Sequence, residues 1–151
     1  MEAAIFYGEY THAMDRKGRL ILPSRIREAA VKKSIERFFV TRGLDKCLFM
    51  FAEDEWRLQE DKFRQMPITN QQSRVFNRLY FSGAIDVVPD KQGRILLPQY
   101  LKDYAEMKKD VVVVGVSNRV EIWSAEQWRE FYGSWRQSFE DIAERLVEPG
   151  K

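Results

Sequence analysis

The chain has 151 residues, with 25 Lys and Arg against 23 Asp and Glu, so its formal net charge is +2. This length suits one domain or two small halves that share a core, and the 44% of apolar residues argues against disorder. A net charge so close to zero excludes a protein coated with basic charge. Any nucleic-acid role therefore requires a local concentration of cations or several copies of a weak site.

The single Cys47 and the single His12 exclude two further kinds of site. One thiol cannot form an intrachain disulfide, and one Cys with one His cannot complete a zinc site made of those residue types. The first ten residues lack the cationic start and apolar run of a signal peptide. The longest apolar runs, such as residues 111–114, are too short to span a bilayer. We therefore expect a cytoplasmic protein without a membrane partner.

An internal repeat organises the chain. Residues 15–28 read DRKGRLILPSRIRE and residues 90–103 read DKQGRILLPQYLKD, with five of 14 positions identical. A second similarity follows between FAEDEWR at 51–57 and WSAEQWR at 123–129. Such self-similarity predicts two copies of one structural unit. We divide the chain into a first repeat with its helix (1–66), a connecting helix (67–83) and a second repeat with a C-terminal helix (84–151).

Each repeat is predicted to begin with a hairpin. The pattern from Asp15 to Gly18 is typical of a tight turn, in which the Asp side chain bonds the following backbone and the Gly tolerates positive φ. The extended stretches Tyr10–Met14 and Arg19–Leu22 on either side are then expected to pair with each other. The second repeat supplies the matching segments Ala84–Val88, Asp90–Gly93 and Arg94–Leu97.

Further along each repeat, proline residues indicate where the strands end. Pro23 and Pro98 predict short helices over 24–30 and 99–105, and Pro67 ends a longer helix near Met66, before a helix over 70–81. Later strands are predicted at 38–42, 48–51, 111–116 and 120–123, with a turn at 117–119. Consecutive apolar residues at 20–22 and 111–114 indicate strands buried on both faces, as in a closed barrel.

The C-terminal segment predicts one amphipathic helix of about twenty residues from Ala125 onward. Ser124 with Gln127 is typical of a helix start. An apolar stripe runs along the helix and consists of Trp128, Phe131, Trp135, Phe139, Ile142 and Leu146. The stripe is more aromatic than a small core needs, so we expect its distal half to pack on another subunit.

Several motifs together resemble a known family. They are Phe6-x-Gly8, Asp15-x-Lys17-Gly18-Arg19-Leu20-x-Leu22-Pro23-x-x-x-Arg27, Arg78-x-x-x-Ser82-Gly83-Ala84, Asp90-x-Gln92-Gly93-Arg94-Ile95-Leu96-x-Pro98 and Glu121-Ile122-Trp123. With them, the whole chain resembles the MraZ family of bacterial transcriptional regulators, built from two SpoVT-AbrB (swapped-hairpin) repeats. The resemblance implies an α+β fold, in which a pseudo-twofold β-barrel carries flanking helices and a long C-terminal helix.

The resemblance also implies a function. Proteins of this family assemble into homo-oligomeric rings and bind short direct repeats in double-stranded DNA, upstream of the division and cell-wall gene cluster. Their DNA-contacting D-x-x-x-R motif falls on Asp15 and Arg19, and again on Asp90 and Arg94. A nucleoid-associated protein with no cofactor and no small-molecule substrate follows from the same resemblance.

The residues themselves support a phosphate-binding first turn. Residues 11–28 hold five basic and two acidic side chains, whereas residues 90–103 hold three basic and two acidic ones. Arg16 and Lys17 at the first turn, and Lys91 at the second, suit contacts with the DNA backbone, which position a protein without reading sequence. Arg19 has the planar fork that can address a guanine edge in the major groove.

Structural roles for the same residues remain open from the sequence. Asp15 and Asp90 are acidic and therefore poor phosphate ligands, so shaping the turn and holding Arg19 or Arg94 by a charge-assisted bond is the alternative role for them. Arg19 itself could instead form a salt bridge at the rim of the barrel.

Two other classes of function compete with DNA binding. An enzyme on a related barrel has little support, because the chain lacks nucleophile-elbow, phosphate-loop, dinucleotide-binding and zinc-protease motifs. Asp15 and Asp90 as a catalytic carboxylate pair is also unattractive, since each lies at a basic turn that favours ionisation over a shared proton. An oligomeric scaffold or partner-binding protein without DNA contact, using the C-terminal helix, is the remaining alternative.

Overall fold

The structure is a computed structural model that describes residues 4–147, so the outermost residues of the predicted units 1–66 and 84–151 lie outside the described residues. The strands are β1 (Phe6–Ala13), β2 (Arg19–Ile21), β3 (Phe38–Arg42), β4 (Leu48–Ala52), β5 (Ile85–Val87), β6 (Arg94–Leu96), β7 (Asp110–Ser117) and β8 (Val120–Ser124). The helices are α1 (Ser24–Val31), α2 (Glu53–Arg64), α3 (Gln71–Ser82), α4 (Gln99–Tyr104), α5 (Ala125–Trp135) and α6 (Phe139–Val147), with a 3₁₀ turn at Arg136–Ser138.

The strand order reflects the internal repeat. Within the described residues, six strands form one antiparallel sheet in the order β1-β7-β8-β4-β3-β5, and β2 pairs with β6 in a two-stranded ribbon. Exchanging the two repeats swaps β1 with β5, β7 with β3 and β8 with β4, which leaves this order unchanged. In the ribbon, Leu20 lies opposite Ile95, its equivalent in the other repeat. The topology is therefore that of a pseudo-twofold α+β protein.

The hairpins predicted at the start of each repeat are wrong, whereas the turn predicted at 117–119 does join the antiparallel neighbours β7 and β8. The turn after β1 forms as expected, but β1 pairs with β7 over eight positions, from Phe6 opposite Ser117 to Ala13 opposite Asp110. Likewise β5 pairs with β3 instead of with β6, and β6 pairs with β2. The three residues of β2 could satisfy only a small part of the backbone of β1, whereas β7 matches its full length. Each repeat thus exchanges strands with the other.

The predicted closed barrel is not seen among residues 4–147, where the strands form two separate sheets. The ribbon instead covers one face of the large sheet, and Leu20, Leu22, Ile95 and Leu97 are buried in the same core as Phe38 and other sheet residues. Ile21 is 38% exposed, so β2 is not buried on both faces as predicted. Side chains of an antiparallel ribbon alternate between its two faces, and here one face lies in the core and the other in solvent.

Burial of β7 on both faces is confirmed for residues 111–113. Val111 and Val113 face the main core, whereas Val112 joins a second cluster with Trp123 and Cys47, beneath Trp128 of α5. A matching aromatic cluster forms around Trp56 of α2, which stacks on Phe39 at 5.3 Å between ring centroids. Trp56 and Cys47 are therefore both buried core residues.

Helix starts follow the sequence signals. Pro23 and Pro98 directly precede α1 and α4, and α2 ends at Arg64, before Pro67. The Oγ of Ser124 accepts a hydrogen bond from the backbone N–H of Gln127 at 3.0 Å and so caps α5. These local predictions hold because caps and prolines act within one turn of chain.

The C-terminal helix is interrupted rather than continuous. The 3₁₀ turn at Arg136–Ser138 separates α5 from α6, just after the weak helix formers Gly133 and Ser134. Before this break, Trp128 and Phe131 pack on Trp123, with ring centroids 5.4 and 5.3 Å apart. Beyond it, the stripe loses its core contacts. No helix among the described residues has the length and apolar character needed to cross a membrane.

The ribbon offers a direct test of the fold. Leu20 is fully buried, so Leu20→Ala leaves a cavity in the shared core and should lower the free energy of unfolding by about 2–5 kcal/mol. Its neighbour Ile21 points outward, and Ile21→Ala should cost about 1 kcal/mol or less. Urea denaturation of both variants measures the difference. Equal losses would mean that the ribbon does not cover the core.

Candidate nucleic-acid interface

The first Asp-x-x-Gly turn is built around one carboxylate. Asp15 Oδ1 accepts hydrogen bonds from the backbone N–H groups of Lys17 and Arg19, both at 2.9 Å. Its other oxygen, Oδ2, accepts the side-chain Nε–H of Arg19 at 2.7 Å. The backbone closes the turn with bonds from Gly18 N to Asp15 O and from Asp15 N to Arg19 O, each 3.0 Å. The same side chain therefore shapes the turn and orients the arginine.

The second turn repeats this geometry. Asp90 Oδ1 accepts from the backbone N–H groups of Gln92 and Arg94 at 2.9 Å, and Oδ2 accepts from Arg94 Nε at 2.9 Å. Gly18 and Gly93 have φ values of +78° and +80° at the turns, which explains the glycine in both copies. The alternative role considered for the two Asp residues, turn shaping and arginine holding, is what the structure shows.

Both arginines keep part of their guanidinium available. Arg19 and Arg94 donate to Asp through Nε, and their Nη atoms donate no hydrogen bond to any atom of residues 4–147. The side chains of Arg19 and Arg94 are 30% and 27% exposed. The Nη atoms carry four N–H donors in a fixed plane, which is the arrangement that pairs with two acceptors on a base edge or a phosphate.

The two arginines lie on the same face of the ribbon. Arg19 is opposite Leu96 and Arg94 is opposite Ile21, while the alternate residues of both strands face the core. Side chains alternate along a strand, so these four residues share the outer face. That face has one Asp-held arginine at each end, and each arginine lies opposite an exposed aliphatic side chain of the other strand.

The remaining predicted site residues lie at the tips of the turns. Arg16 and Lys17 are exposed in the first turn, and Lys91 is exposed in the second. The structure thus brings the seven predicted residues together as two groups, one at each end of the ribbon. Their contact with DNA remains a prediction.

Sequence reasoning missed two basic residues at the turns. Lys102 of α4 reaches the first turn, where its Nζ occupies the space that a Cβ at position 18 would need. Its equivalent, Arg27 of α1, reaches the second turn and lies 2.7 Å from the corresponding position at Gly93. Each cation comes from the other repeat. One signal for them was present in the sequence, because Arg27 and Lys102 occupy matching positions in the two repeats. Only the strand exchange explains which turn each of them contacts.

Hydrogen bonding lowers the pKa of both turn aspartates from the ordinary value of 3.8. The backbone N–H of Arg19 is the largest cause for Asp15, opposed by partial desolvation and assisted by the Arg19 side chain. Arg94 acts in the same way on Asp90. Both carboxylates are therefore charged throughout the physiological pH range, which favours holding an arginine over proton transfer.

The other candidate reactive groups of the described residues include a buried thiol, a buried tyrosine hydroxyl and one imidazole. The described residues hold no group of three or more His, Cys, Asp or Glu side chains that could bind a metal ion. Burial raises the pKa of the Cys47 thiol and of the Tyr80 hydroxyl, so both groups stay protonated and unreactive at neutral pH. His12 lies half-buried on β1, and its imidazole forms no hydrogen bond with residues 4–147.

Comparison with known proteins gives a consistent result. The MraZ family model, described as "MraZ protein, putative antitoxin-like", matches the chain twice, over residues 5–79 and 80–149. The protein named Transcriptional regulator MraZ from Carboxydothermus hydrogenoformans is 49% identical over 144 residues. The match covers 95% of this chain and 98% of that relative. The double match confirms that the chain consists of two related units.

The low pKa values of the turn aspartates can be measured by NMR titration of the carboxyl carbons. We expect midpoints below 3.8 for Asp15 and Asp90. A depressed pKa stabilises the folded protein above the pKa of the unfolded state, and this contribution disappears as the pH falls through the folded-state pKa. The two turns should therefore loosen only in acid.

Arg19→Ala serves as the control for this titration. The variant keeps the backbone N–H that bonds Asp15 but loses the guanidinium, so the Asp15 midpoint should rise part of the way towards 3.8. The Asp90 midpoint should stay where it is, because Asp90 is bonded to Arg94. A wild-type Asp15 midpoint at or above 3.8 would contradict the described turn.

Proposed function

The chain belongs to the MraZ family, and we propose that it is a sequence-specific, DNA-binding transcriptional regulator that acts as a ring-shaped homo-oligomer. Its targets are short direct repeats upstream of the division and cell-wall gene cluster, which places it in the cytoplasm at the nucleoid. The name of the relative, Transcriptional regulator MraZ, and the twofold family match support this proposal. The division into residues 1–66, 67–83 and 84–151 forms part of it.

The observation that carries the proposal is the pair of Asp-held arginines on one exposed face. Because Asp15 holds Arg19 and Asp90 holds Arg94, each guanidinium is positioned before DNA arrives. Positioning in advance reduces the conformational entropy lost on binding. The free Nη atoms then bond the O6 and N7 acceptors of guanine in the major groove.

The outer face of the ribbon replaces the predicted hairpin as the element that approaches DNA. Its two strands come from different repeats, and a two-stranded ribbon is narrow enough to enter the major groove. Arg16, Lys17 and Lys91 at the tips contact the flanking phosphates, which position the ribbon without reading sequence.

Oligomerisation supplies the affinity that one subunit lacks. A single chain with a net charge of +2 binds DNA weakly, whereas a ring presents the ribbon many times and engages adjacent boxes at high effective concentration. The exposed end of the C-terminal stripe supports a subunit contact there. Trp135 is 53% exposed, Phe139 72% and Leu146 80%. Large apolar side chains exposed next to one another are typical of protein interfaces.

Arg19→Ala tests the proposed base reader. The variant should lose specific binding to the protein's own upstream region, since each bidentate guanine contact contributes about 1–3 kcal/mol of discrimination and is repeated in every subunit. A gel-shift titration measures the loss, and the oligomer should stay intact by light scattering.

Arg64→Ala, at the exposed end of α2, removes the same charge away from the ribbon and should bind as wild type. Normal promoter binding by Arg19→Ala would mean that Arg19 is not the reader. Failure of the wild-type protein to bind its upstream region would instead favour an oligomeric scaffold without DNA contact.

Trp135→Ala with Phe139→Ala tests the proposed subunit contact. The double variant should reduce the oligomer to smaller species in multi-angle light scattering, without a loss of fold, because both side chains are exposed in the single chain. Leu58→Ala with Ile68→Ala removes comparably exposed apolar side chains elsewhere, which are 60% and 79% exposed, and should leave the mass unchanged. An unchanged mass in both variants would exclude the C-terminal contact.

A further inference from the structure

A basic groove lies beside the first turn and extends beyond the residues considered so far. It has a volume of about 450 Å³ and joins the first repeat to the second. Four cationic side chains line it: Arg16 from the turn and Lys102, Lys108 and Lys109 from the second repeat. We call this surface the first-turn groove.

Strand exchange is what assembles the first-turn groove. The backbone N–H of Met14, at the end of β1, donates to the carbonyl of Lys109 at 2.8 Å, which brings the start of β7 next to the turn. Helix α4 places Lys102 against Gly18 from the other side. Residues about 90 positions apart in the chain thus form one surface. Lys102 lies on α4, whereas Arg16 lies in the turn and Lys108 and Lys109 lie in the short segment between α4 and β7.

Three of the four cations in the groove have no ion-pair partner among residues 4–147. Asp15 is already bonded to Arg19. Lys108 pairs with Glu126 at 3.4 Å. Among residues 4–147, no ion pair involves Arg16, Lys102 or Lys109. Three cations that share one groove repel each other, and an anion between them relieves this repulsion.

The side chains around the second turn differ from those of the first-turn groove. Arg27 takes the place of Lys102, but its Nε donates to the carbonyl of Leu22 at 3.1 Å and its guanidinium packs over the turn. The position equivalent to Lys109, two residues before the matching strand β3, is the acidic Glu36. The backbone of the two turns is the same, whereas the side chains around them differ in charge.

We infer that the first-turn groove binds a phosphodiester group of the DNA backbone, with Lys102 and Lys109 as the phosphate ligands, and that the second turn binds none in this way. This inference rests on the proposed function and adds to it two residues that reading the motif alone does not include. Each subunit then holds DNA more firmly at one end of the ribbon than at the other. Phosphate contacts that differ between the two ends of the ribbon give each bound subunit a direction on the DNA. This suits direct repeats, in which every box has the same orientation.

Salt-dependent binding of the full-length protein tests the inference. Lys102→Gln with Lys109→Gln removes two phosphate contacts, so the slope of log affinity against log salt should become shallower by about 1.8 for each engaged subunit. Lys62→Gln with Arg64→Gln removes the same charge from the exposed end of α2 and should leave the slope unchanged. Circular dichroism and thermal unfolding establish that both variants are folded.

Two duplexes separate phosphate binding from base reading. One carries the upstream direct repeats and the other is a scrambled sequence of equal length. The lysine double variant should weaken binding to both duplexes by similar factors, because phosphates carry no sequence information. Loss on the repeat duplex alone would overturn the inference by making these lysines base readers.

The remaining outcomes also decide the inference. A lysine double variant that matches the α2 control on both duplexes overturns it while leaving the proposed function in place. A wild-type protein that binds neither duplex overturns the inference and the proposed function together.

Discussion

Neither repeat can bury its apolar strands without the other, and this mutual dependence determines the rest of the molecule. β1 of the first repeat pairs with β7 of the second, β5 of the second pairs with β3 of the first, and β2 pairs with β6. A strand without a partner strand and with an uncovered apolar face is unstable in water. Exchange between the repeats therefore converts two marginal halves into one core, and the ribbon that covers this core becomes the exposed surface at which both motifs meet.

The Asp-x-x-Gly-Arg sequence shapes each turn and orients its arginine with the same carboxylate. The carboxylate of Asp15 accepts two backbone N–H groups and the Nε–H of Arg19, so the turn and the side chain are ordered together. An exposed ion pair alone contributes little to stability. Its value here lies in orientation, since the arginine stays in place with its Nη donors unused. The proposed reading of guanine follows from that arrangement.

Symmetry of the backbone and asymmetry of the charges coexist in one chain. The turns at Asp15 and Asp90 have hydrogen bonds of nearly the same length. Lys102 and Lys109 lie beside the first turn, whereas Arg27 and Glu36 hold the equivalent positions for the second. The backbone is constrained by the shared core, whereas exposed side chains vary at little cost in stability. A duplicated fold can thereby acquire two unequal contact surfaces, which is the arrangement that a repeated, directional DNA target requires under the proposed function.

Local signals in the sequence were sufficient for the turns and the helix starts. Prolines, caps and the Asp-x-x-Gly pattern act over four or five residues, so Pro23, Ser124 and the two turns could be located without knowing the fold. The apolar stripe after Ala125 likewise predicted a helix. The 3₁₀ break at Arg136–Ser138 escaped that prediction because periodicity continues across it.

Strand partners and the surroundings of the site depended on the tertiary structure alone. Alternation of apolar and polar residues indicates that a stretch is extended, but it does not indicate which strand the stretch pairs with. Here β1 and β5 pair with β7 and β3 instead of with the strands that follow them in the chain. The same exchange brought Lys102 and Lys109 to the first turn. Contacts between residues far apart in the chain depend on how much apolar surface the two repeats bury together. No local sequence pattern specifies that total.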